Sequence, residues 1–406
     1  MATDLVVTGM GVVSAIGQGK QGFGESLLAG RSAFGVMQRP GRRREDAPLL
    51  GAEFGELAVP EQIPRQLLRT ASLSTAAALT VVHEAWEEAR LAELDPQRIG
   101  LVVGGSNVQQ RELVNVHDAY AGRIAFLRPT YALSFMDTDL CGFCTAHFGI
   151  HGLAYTVGGA SASGQLAVIQ AAQAVLSGQV DACIAVGALM DLSYWECQGF
   201  RAIGAMGSDR FAASPELACR PFDRDHDGFI FGECSGALVI ESLASSRRRG
   251  IGGYAALAGW GVAMDGNRNP DPSLRGETRA IRAALAQAGL DAAAIDYVNP
   301  HGTGSIVGDE TELRALRECG LSQARLNATK SLVGHGLSAA GAVEVIATLL
   351  QMRAGRLHPT RNLDDPIDPD LRWVAAQGEA HRIGNALTLS MGFGGMNTAL
   401  CWRSCA

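Results

Sequence analysis

Short strand-like runs alternate with alanine-rich helical stretches along this chain, and the alternation restricts the fold more than any other sequence feature. Strand-like runs occur at residues 5–8, 101–104, 154–157 and 183–186, and helix-forming segments separate them. Such alternation is typical of βαβ units and predicts an α/β fold.

A polar segment divides the chain into two series of this kind. The strand-like string GALVIES ends at Ser242, and the segment SSRRRG then leads into YVNPHG and ALTLSMGFGG. We therefore assign residues 1–242 to an N-terminal half and residues 243–406 to a C-terminal half. The halves share no obvious sequence period, so spacing alone does not reveal a repeat.

Composition limits the classes of partner. A chain of 406 residues that is 47% hydrophobic can bury a large core. Its 34 basic and 41 acidic residues give a net charge of -7, which argues against affinity for nucleic acid or anionic membranes. The N-terminus carries Asp4 and no basic leader, and no uncharged apolar stretch approaches the ~20 residues of a membrane-spanning helix. We expect a cytoplasmic protein.

Nine cysteines in a chain of this length do not form the dense framework of a small secreted protein. Cys141 and Cys144 form a CGFC string, which is found in redox sites and in halves of metal sites. No second pair completes a zinc set, and a redox site would require a thioredoxin-like context. We predict reduced, mostly buried thiols and helix packing for this pair.

The string TVGGASASGQLAV has the pattern of a strand that breaks at paired glycines and continues as a helix. A side chain on such a turn is held out of the sheet, where the helix N-terminus favours negative charge. Ser161 occupies the turn, although GASAS lacks the GxSxG pattern of serine hydrolases. Serine before a helix is most often an N-cap. We predict that role for Ser163 and a place in a functional site for Ser161.

Two histidines lie in glycine-rich turns where a side chain can face a cleft. YVNPHGTGS presents His301, and ATKSLVGHGLSAAG presents Lys330 and His335. A single histidine in such a turn is more often structural than catalytic. Neither histidine has the spacing of a zinc site or an HExxH context, so we predict no catalytic metal.

Together with SMGFGGMN around Phe393, these strings resemble the β-ketoacyl-acyl carrier protein synthases of fatty acid and polyketide assembly. VVTGMGVVSAIG, LLAGRSAFG and RPFDRDHDGFIFGECSGALVIE also fit that family, in the same order. The resemblance implies a thiolase fold with two pseudo-symmetric halves in five layers, α-β-α-β-α, and an active site at their junction. It further implies a homodimer and a substrate on the phosphopantetheine arm of an acyl carrier protein, with no other cofactor.

The resemblance also implies catalytic roles. Ser161 stands where the family has its acyl-carrying cysteine. The residues matching His301 and His335 donate hydrogen bonds to the thioester oxygen, and the backbone amides at Ser161 and Phe393 form an oxyanion hole. Phe393 matches the family's gating phenylalanine, with a buried core aromatic as the alternative.

Supporting roles follow in the same way. The resemblance pairs Lys330 with Glu344, and this lysine has either a direct catalytic role or the role of a plain salt bridge. Arg65, Arg69 and Arg201 fall where the family receives its acidic carrier protein, which makes them candidate docking residues. Exposed arginines are also commonly just solvated.

Several positions depart from the family pattern. Met391 and Met396 replace the Phe and Thr of FGFGGTN, and Cys234 replaces a glycine in GEG. These changes affect the shape of the acyl pocket. A cysteine-to-serine change is also a common way to trap a synthase. Gly159, Ala160 and Ala162 also differ from the usual TACTSG pattern, however, which favours a natural serine.

A helix N-terminus can activate a thiol, whereas a serine hydroxyl requires an adjacent base. Serine beside both histidines resembles the free-standing decarboxylases of polyketide β-branching cassettes. We therefore predict that the protein converts malonyl-carrier protein to acetyl-carrier protein without condensation. One alternative is acyl transfer through Ser161 with His301 as base. Another is a non-catalytic partner similar to a chain-length factor, although such a subunit has no chemical need for both histidines.

Overall fold

Ten principal strands form the framework of the protein. The computed structural model describes residues 5–374 and 376–405. The strands of the N-terminal half are β1 (Leu5–Ser14), β2 (Ile99–Gly104), β3 (Ala154–Val157), β4 (Ala182–Gly187) and β5 (Cys234–Ser242). Those of the C-terminal half are β6 (Ala255–Met264), β7 (Tyr297–Asn299), β8 (Arg325–Leu326), β9 (Asn385–Gly392) and β10 (Met396–Ser404). The four predicted strand-like runs lie within β1 to β4, and the predicted α/β class is confirmed.

The two halves arrange their strands in the same order. That order is β3-β2-β4-β5-β1 in the N-terminal half and β8-β7-β9-β10-β6 in the C-terminal half. In each half the last strand runs antiparallel to both of its neighbours, and the remaining strands pair in parallel. The sheets join through a short antiparallel contact in which Leu5 lies opposite Leu257. The pseudo-symmetry that spacing does not reveal is therefore present in the topology.

Helices occupy the layers outside and between the two sheets. They are α1 (Leu73–Glu88), α2 (Thr138–Phe148), α3 (Ser163–Leu176), α4 (Leu274–Ala288), α5 (Ile306–Glu318) and α6 (Ala340–Ala354). Helices α1 and α2 pack on the N-terminal sheet, and α4 packs on the C-terminal sheet with α5 beside it. Helices α3 and α6 lie together between the sheets and contact strands of both. This arrangement confirms the predicted five layers.

The central helices approach each other closely because small residues face the contact. A Cβ atom on Gly164 would lie 2.7 Å from the Ala342 backbone nitrogen, so glycine is required there. In the described part of the chain, the stretch Leu337–Ala354 alone is long and apolar enough to cross a membrane. It is 83% buried inside the protein, as expected of a core helix.

Shorter elements connect this framework. The other helices are Gly19–Leu28, Arg65–Leu68, Gln110–Tyr120, Tyr131–Ser134, Tyr194–Ala202, Leu243–Arg248 and Lys330–Val333. Single 3₁₀ turns occur at Leu91–Glu93, Pro96–Arg98, Ile124–Phe126, Ala160–Ala162, Pro215–Leu217, Ala292–Ala294 and Leu337–Ala339. The short strands are Gly17–Gln18, Gly35–Val36, Leu50–Ala52, Phe231–Gly232, Arg356–Leu357, Arg372–Trp373 and Glu379–Ala380.

The largest buried cluster contains side chains from both halves, among them Val168 of α3 and Val343 of α6. The chain therefore has a shared core at the junction of the halves. The boundary predicted between residues 242 and 243 coincides with the end of β5. It divides the sequence into two halves, but the two halves share one core.

Candidate active site

A cavity of about 400 Å³ opens where the N-termini of α3 and α6 meet. A 3₁₀ turn precedes each of these helices, and each turn begins with a non-glycine residue in the left-handed region, Ala160 at φ 46° and Leu337 at φ 50°. Backbone strain of this kind persists only where the surrounding structure enforces it. The pseudo-symmetry therefore brings two equivalent turns together at one cavity, and both Ser161 and His335 line it.

Ser161 lies in the first of these turns, half-buried. Its Oγ is 2.9 Å from Nε2 of His335, and its carbonyl oxygen accepts a hydrogen bond of 3.0 Å from the Ser390 hydroxyl. Strand β9 can approach the turn because it ends in Gly392, where a Cβ atom would lie 2.1 Å from the Gly159 oxygen. The serine is thus fixed from both halves of the chain.

Ser163 does not cap α3, and the prediction of an N-cap is wrong. The N-cap position is Ala162, which makes no side-chain cap. The Ser163 hydroxyl instead accepts from the Gly159 amide at 2.9 Å and donates to the Ala160 carbonyl at 2.7 Å. The hydroxyl thereby closes the turn that carries Ser161, because the turn folds back over the first residue of the helix.

Lys330 determines which tautomer His301 adopts. The ammonium group donates to the carbonyl oxygen of His301, pairs with Glu344 at 2.5 Å, and lies 3.4 Å from Nδ1 of His301. Because an ammonium group has donors and no acceptor, Nδ1 must accept and the ring proton is on Nε2. The family-implied pair is therefore present in the structure, and it leaves the Nε2–H of His301 available as a donor.

Both imidazoles are neutral near pH 7. Burial, together with the positive charge of Lys330, lowers the pKa of His335 well below its usual 6.5. The pKa of His301 is lowered well below 6.5 by burial, by Lys330 and by the second imidazole. The ring centres are 5.4 Å apart and nearly perpendicular. The cavity thus has two neutral imidazoles close together, and Nε2 of His335 lies within hydrogen-bonding distance of Ser161.

Two carboxylates that sequence reasoning missed hold the turn at residues 301–304. Glu312 accepts hydrogen bonds from the backbone amides of His301, at 2.5 Å, and Gly302, at 2.8 Å. Asp309 accepts from the amides of Thr303, at 3.1 Å, and Gly304, at 3.0 Å. Burial raises the pKa of Glu312 to about 8, although the two amides oppose that shift. The acidic string GDETE at residues 308–312, shortly after the turn, is the sequence signal that indicates these residues.

Phe393 lies at the mouth of the cavity in the turn between β9 and β10. It is 40% exposed, and its ring centre is 6.2 Å from that of Phe200. Exposed apolar side chains, Ile203, Ile306 and Val307, line the same mouth. Phe393 is therefore not a buried core aromatic, and its position is compatible with the predicted gating role.

The departures from the family pattern affect the surroundings of the site. Met391 lines the cavity. Cys234 is buried behind the loop of His335. A Cβ atom on Gly336 would lie 2.1 Å from the Sγ of Cys234. The sulfur thus fills the space behind this loop, and burial raises the pKa of its thiol to about 12.

The three candidate docking arginines differ in exposure. Arg65 and Arg69 are exposed at the short helix Arg65–Leu68. Arg201 is half-buried and donates to the Pro48 carbonyl at 3.0 Å. Docking by these residues remains a prediction, and Arg201 has in addition a structural contact.

Cys141 and Cys144 lie buried in α2 and pack in the N-terminal core. Burial raises the pKa of both thiols above the usual range. Among residues 5–374 and 376–405, no cluster of three or more histidine, cysteine or acidic side chains is arranged to hold a metal ion.

The layered fold and the two imidazoles beside a helix-terminal turn define a ketosynthase-type site. The chain belongs to the β-ketoacyl synthase family: the family's N-terminal domain matches residues 2–246 and its C-terminal domain matches residues 254–364. Among its relatives, the polyketide biosynthesis malonyl-ACP decarboxylase PksF of Bacillus subtilis is 61% identical over 398 residues, covering 98% of this chain and 96% of the relative.

Solved structures agree with this assignment. A β-ketoacyl synthase from Burkholderia phymatum superposes with a TM-score of 0.90 at 28% identity, with both chains covered completely. A type II polyketide ketosynthase solved in complex with its acyl-carrier protein gives 0.85 at 25% identity, again over both complete chains. The predicted family resemblance and the thiolase fold are confirmed.

Proposed function

We propose that this protein removes CO₂ from a malonyl group on an acyl carrier protein and releases acetyl-carrier protein without forming a carbon–carbon bond. The observation that carries the proposal is the pair of neutral imidazoles of His301 and His335 beside a serine hydroxyl. The high identity to a protein named as a malonyl-ACP decarboxylase supports it. In a β-branching pathway the acetyl product would supply the added carbon branch.

Decarboxylation requires that negative charge be stabilised on the thioester oxygen. The bond between C2 and the carboxylate breaks, CO₂ leaves, and the electron pair moves to the enolate oxygen. Donors already oriented toward that oxygen lower the barrier because they need no reorganisation during the reaction. His301 supplies an Nε2–H whose orientation Lys330 fixes from the other side of the ring. None of these steps requires a thiol.

Condensation requires a nucleophile that captures an acyl chain, and a serine hydroxyl becomes one only beside an effective base. The imidazole in contact with its hydroxyl is His335, and not His301 as the acyl-transfer alternative assumed. The low pKa of His335 makes it a weak base toward an alcohol. The weak basicity of His335 also disfavours acyl transfer, while the open cavity with both imidazoles disfavours a silent structural subunit.

Ser161→Ala is expected to retain most of the decarboxylation activity. Removing a neutral hydrogen bond costs about 1 kcal/mol, so we expect a loss of less than roughly tenfold. The measurement is the conversion of malonyl- to acetyl-carrier protein, followed by intact-protein mass spectrometry. A trapped acyl ester on Ser161, together with a loss of ~10³-fold or more in the alanine variant, would instead support acyl transfer.

The substrate is proposed to arrive on the phosphopantetheine arm of an acyl carrier protein, with no other cofactor. The apolar mouth formed by Ile203, Ile306 and Phe393 leads directly to the imidazoles and can admit such an arm. Exposed cations on the protein surface would attract an acidic carrier protein. Arg65, Arg69 and Arg201 are proposed for this role.

Charge reversal at Arg65 and Arg69 is expected to raise KM for the malonyl-carrier protein roughly tenfold. The kcat should stay close to that of the unaltered protein. The charge-reversed protein should convert a malonyl thioester of free pantetheine at the same rate as the unaltered protein does, because this small substrate does not use the docking surface. Arg248→Glu, on the separate helix Leu243–Arg248, is the control. Equal effects on both substrates would show that the two arginines act on the fold instead of on docking.

A homodimer is also proposed. Strand β3 is the outermost strand of the N-terminal sheet, and Tyr155 on it is exposed. Exposed large apolar side chains precede it in the chain, including Ile124, Phe126 and Phe135. Apolar patches and free strand edges of this kind are typical of protein interfaces.

The site is proposed to operate in the cytoplasm, where carrier-protein substrates are made.

A further inference from the structure

Glu277 is a buried carboxyl group on the cavity wall that has no role in the steps described so far. It lies in the first turn of α4, is 1% exposed, and lines the same cavity as Ser161, His301 and His335. Its Oε2 receives no hydrogen bond from any residue that the structure describes. Burying a carboxyl oxygen without a partner is costly, which suggests a functional reason.

Three other carboxyl groups line the same cavity and lie close enough to Glu277 to repel its negative charge. They are Asp265, which follows β6, and Asp309 and Glu312 of α5. Each of these three has partners: Asp265 accepts from the Asn397 side chain at 3.0 Å, and the other two accept from the amides of residues 301–304. Glu277 is thus the member of this group whose buried oxygen has no protein donor.

The surroundings favour the protonated form of Glu277. Burial, followed by repulsion from Glu312, Asp265 and Asp309, raises its pKa well above the usual 4.5. The N-terminus of α4 favours the ionised form, but this effect is modest beside burial among three acidic groups. The neutral carboxylic acid form of Glu277 is therefore favoured, on the wall of the substrate cavity.

We infer that Glu277 is the acid that delivers a proton to C2 of the enolate and so completes the acetyl group. The inference rests on the proposed decarboxylation. After CO₂ has left, the enolate electrons form a C2–H bond with the proton of the Glu277 carboxyl group. The thioester carbonyl is restored, and Glu277 remains as a carboxylate. Solvent at the cavity mouth then returns a proton to it.

A carboxylic acid is suited to this step because it is a far stronger acid than water. A positioned general acid typically contributes ~10²–10⁴-fold to a proton transfer. The apolar rim of the cavity, with Met391 and Phe393, restricts bulk water near the enolate. A condensing enzyme must keep its enolate unprotonated until the acceptor arrives, whereas a decarboxylase benefits from rapid protonation. An acid in the wall of the cavity fits the second requirement.

The test identifies the proton source by isotopic competition. Malonyl-carrier protein is converted in an equal mixture of H₂O and D₂O at several pH values, and mass spectrometry gives the ratio of CH₃ to CH₂D in the acetyl product. In the unaltered protein we expect one ratio at low pH, set by transfer from Glu277, and a different ratio at high pH, where Glu277 is ionised and water reacts instead.

In Glu277→Gln, CO₂ release should remain measurable because the C–C bond breaks before the proton is transferred. The isotopic ratio should be independent of pH and equal to the high-pH ratio of the unaltered protein. Glu310→Gln, an exposed carboxyl-to-amide change on α5, is the matched control and should retain the pH-dependent ratio.

Three outcomes would overturn the inference. They are a pH-independent ratio in the unaltered protein, a pH-dependent ratio in Glu277→Gln, or a folded Glu277→Gln protein that no longer consumes malonyl groups. The first needs no variant, so the test remains decisive even if the glutamine protein does not fold. If the unaltered protein fails to consume malonyl-carrier protein at all, the proposed function is wrong, and this result is distinct from the other three.

Discussion

Replacing His335 by alanine is expected to lower the rate of malonyl decarboxylation by ~10²-fold or more, the usual effect of removing one donor to a developing oxyanion. The imidazole is buried beside Ser161 and is neutral, so its contribution is a hydrogen bond that strengthens as the enolate forms. Because the interaction is made mainly in the transition state, kcat and kcat/KM should fall by similar factors. Steady-state kinetics with malonyl-carrier protein measures both.

The control for this substitution is His147→Ala, on α2 and away from the cavity, which should leave both constants near their original values. Thermal unfolding of the two variants separates a chemical effect from a loss of folded protein. A folded His335→Ala protein that retained activity within a few-fold would contradict the assigned role of this imidazole.

Lys330→Met is expected to affect both stability and rate. Lys330 and Glu344 form a pair that is 1% and 2% exposed. Breaking a buried pair by removing one partner costs about 3–5 kcal/mol of unfolding free energy. Burial already raises the pKa of Glu344 to about 7, so protonation of this carboxyl limits the cost toward the lower value. The rate should fall as well, because His301 loses the donor that fixes its tautomer. Denaturant unfolding and steady-state kinetics provide the two measurements.

A second substitution separates the two roles of Lys330. In Lys330→Met with Glu344→Gln, no buried charge is left unpaired, and stability should recover while the rate remains low. Recovery of the rate in the double variant would show that the lysine is only a structural ion pair. Lys20→Met is the matched control: Lys20, the other lysine of the chain, pairs with Glu84 and Glu88 at a partly exposed site. It should lose less than about 1 kcal/mol.

The layered architecture and the reactive side chains could both be predicted from the sequence. Strand β1 and strand β4 are buried along their whole length, and such strands appear in a sequence as continuous apolar runs. Ser161, His301 and His335 lie in glycine-rich turns, where string resemblance is specific. The structure brings these three residues to one cavity, together with Phe393.

The supporting carboxylates were harder to predict because an acidic residue in the first turn of a helix is usually a solvated one. Glu277 lies in the first turn of α4 and Glu312 in the middle of α5, and both have polar neighbours in the sequence. Only the packing of α4 and α5 at the junction of the halves shows that both are buried. Ser163 failed as an N-cap for a similar reason, since the hydroxyl's partners depend on the path of the preceding turn.

Arg42 shows the same limit away from the site. It lies in the string GRRRE, where each arginine has the appearance of a surface residue, yet its side chain is fully buried. Its partners, Asp191 and Glu233, are 149 and 191 residues away in the sequence. No local pattern indicates such a pairing, because the three-dimensional fold alone brings the charges together.

The most direct test of the account offers the protein a choice between two reactions. Malonyl-carrier protein and a second carrier protein bearing an acyl chain are incubated together with the enzyme, and all three proteins are weighed intact by mass spectrometry. We predict loss of CO₂ to give acetyl-carrier protein, an unchanged acyl-carrier protein and an enzyme without added mass. A β-ketoacyl product, or an acyl group transferred to Ser161, would contradict the claim that two neutral imidazoles beside a serine decarboxylate without condensing.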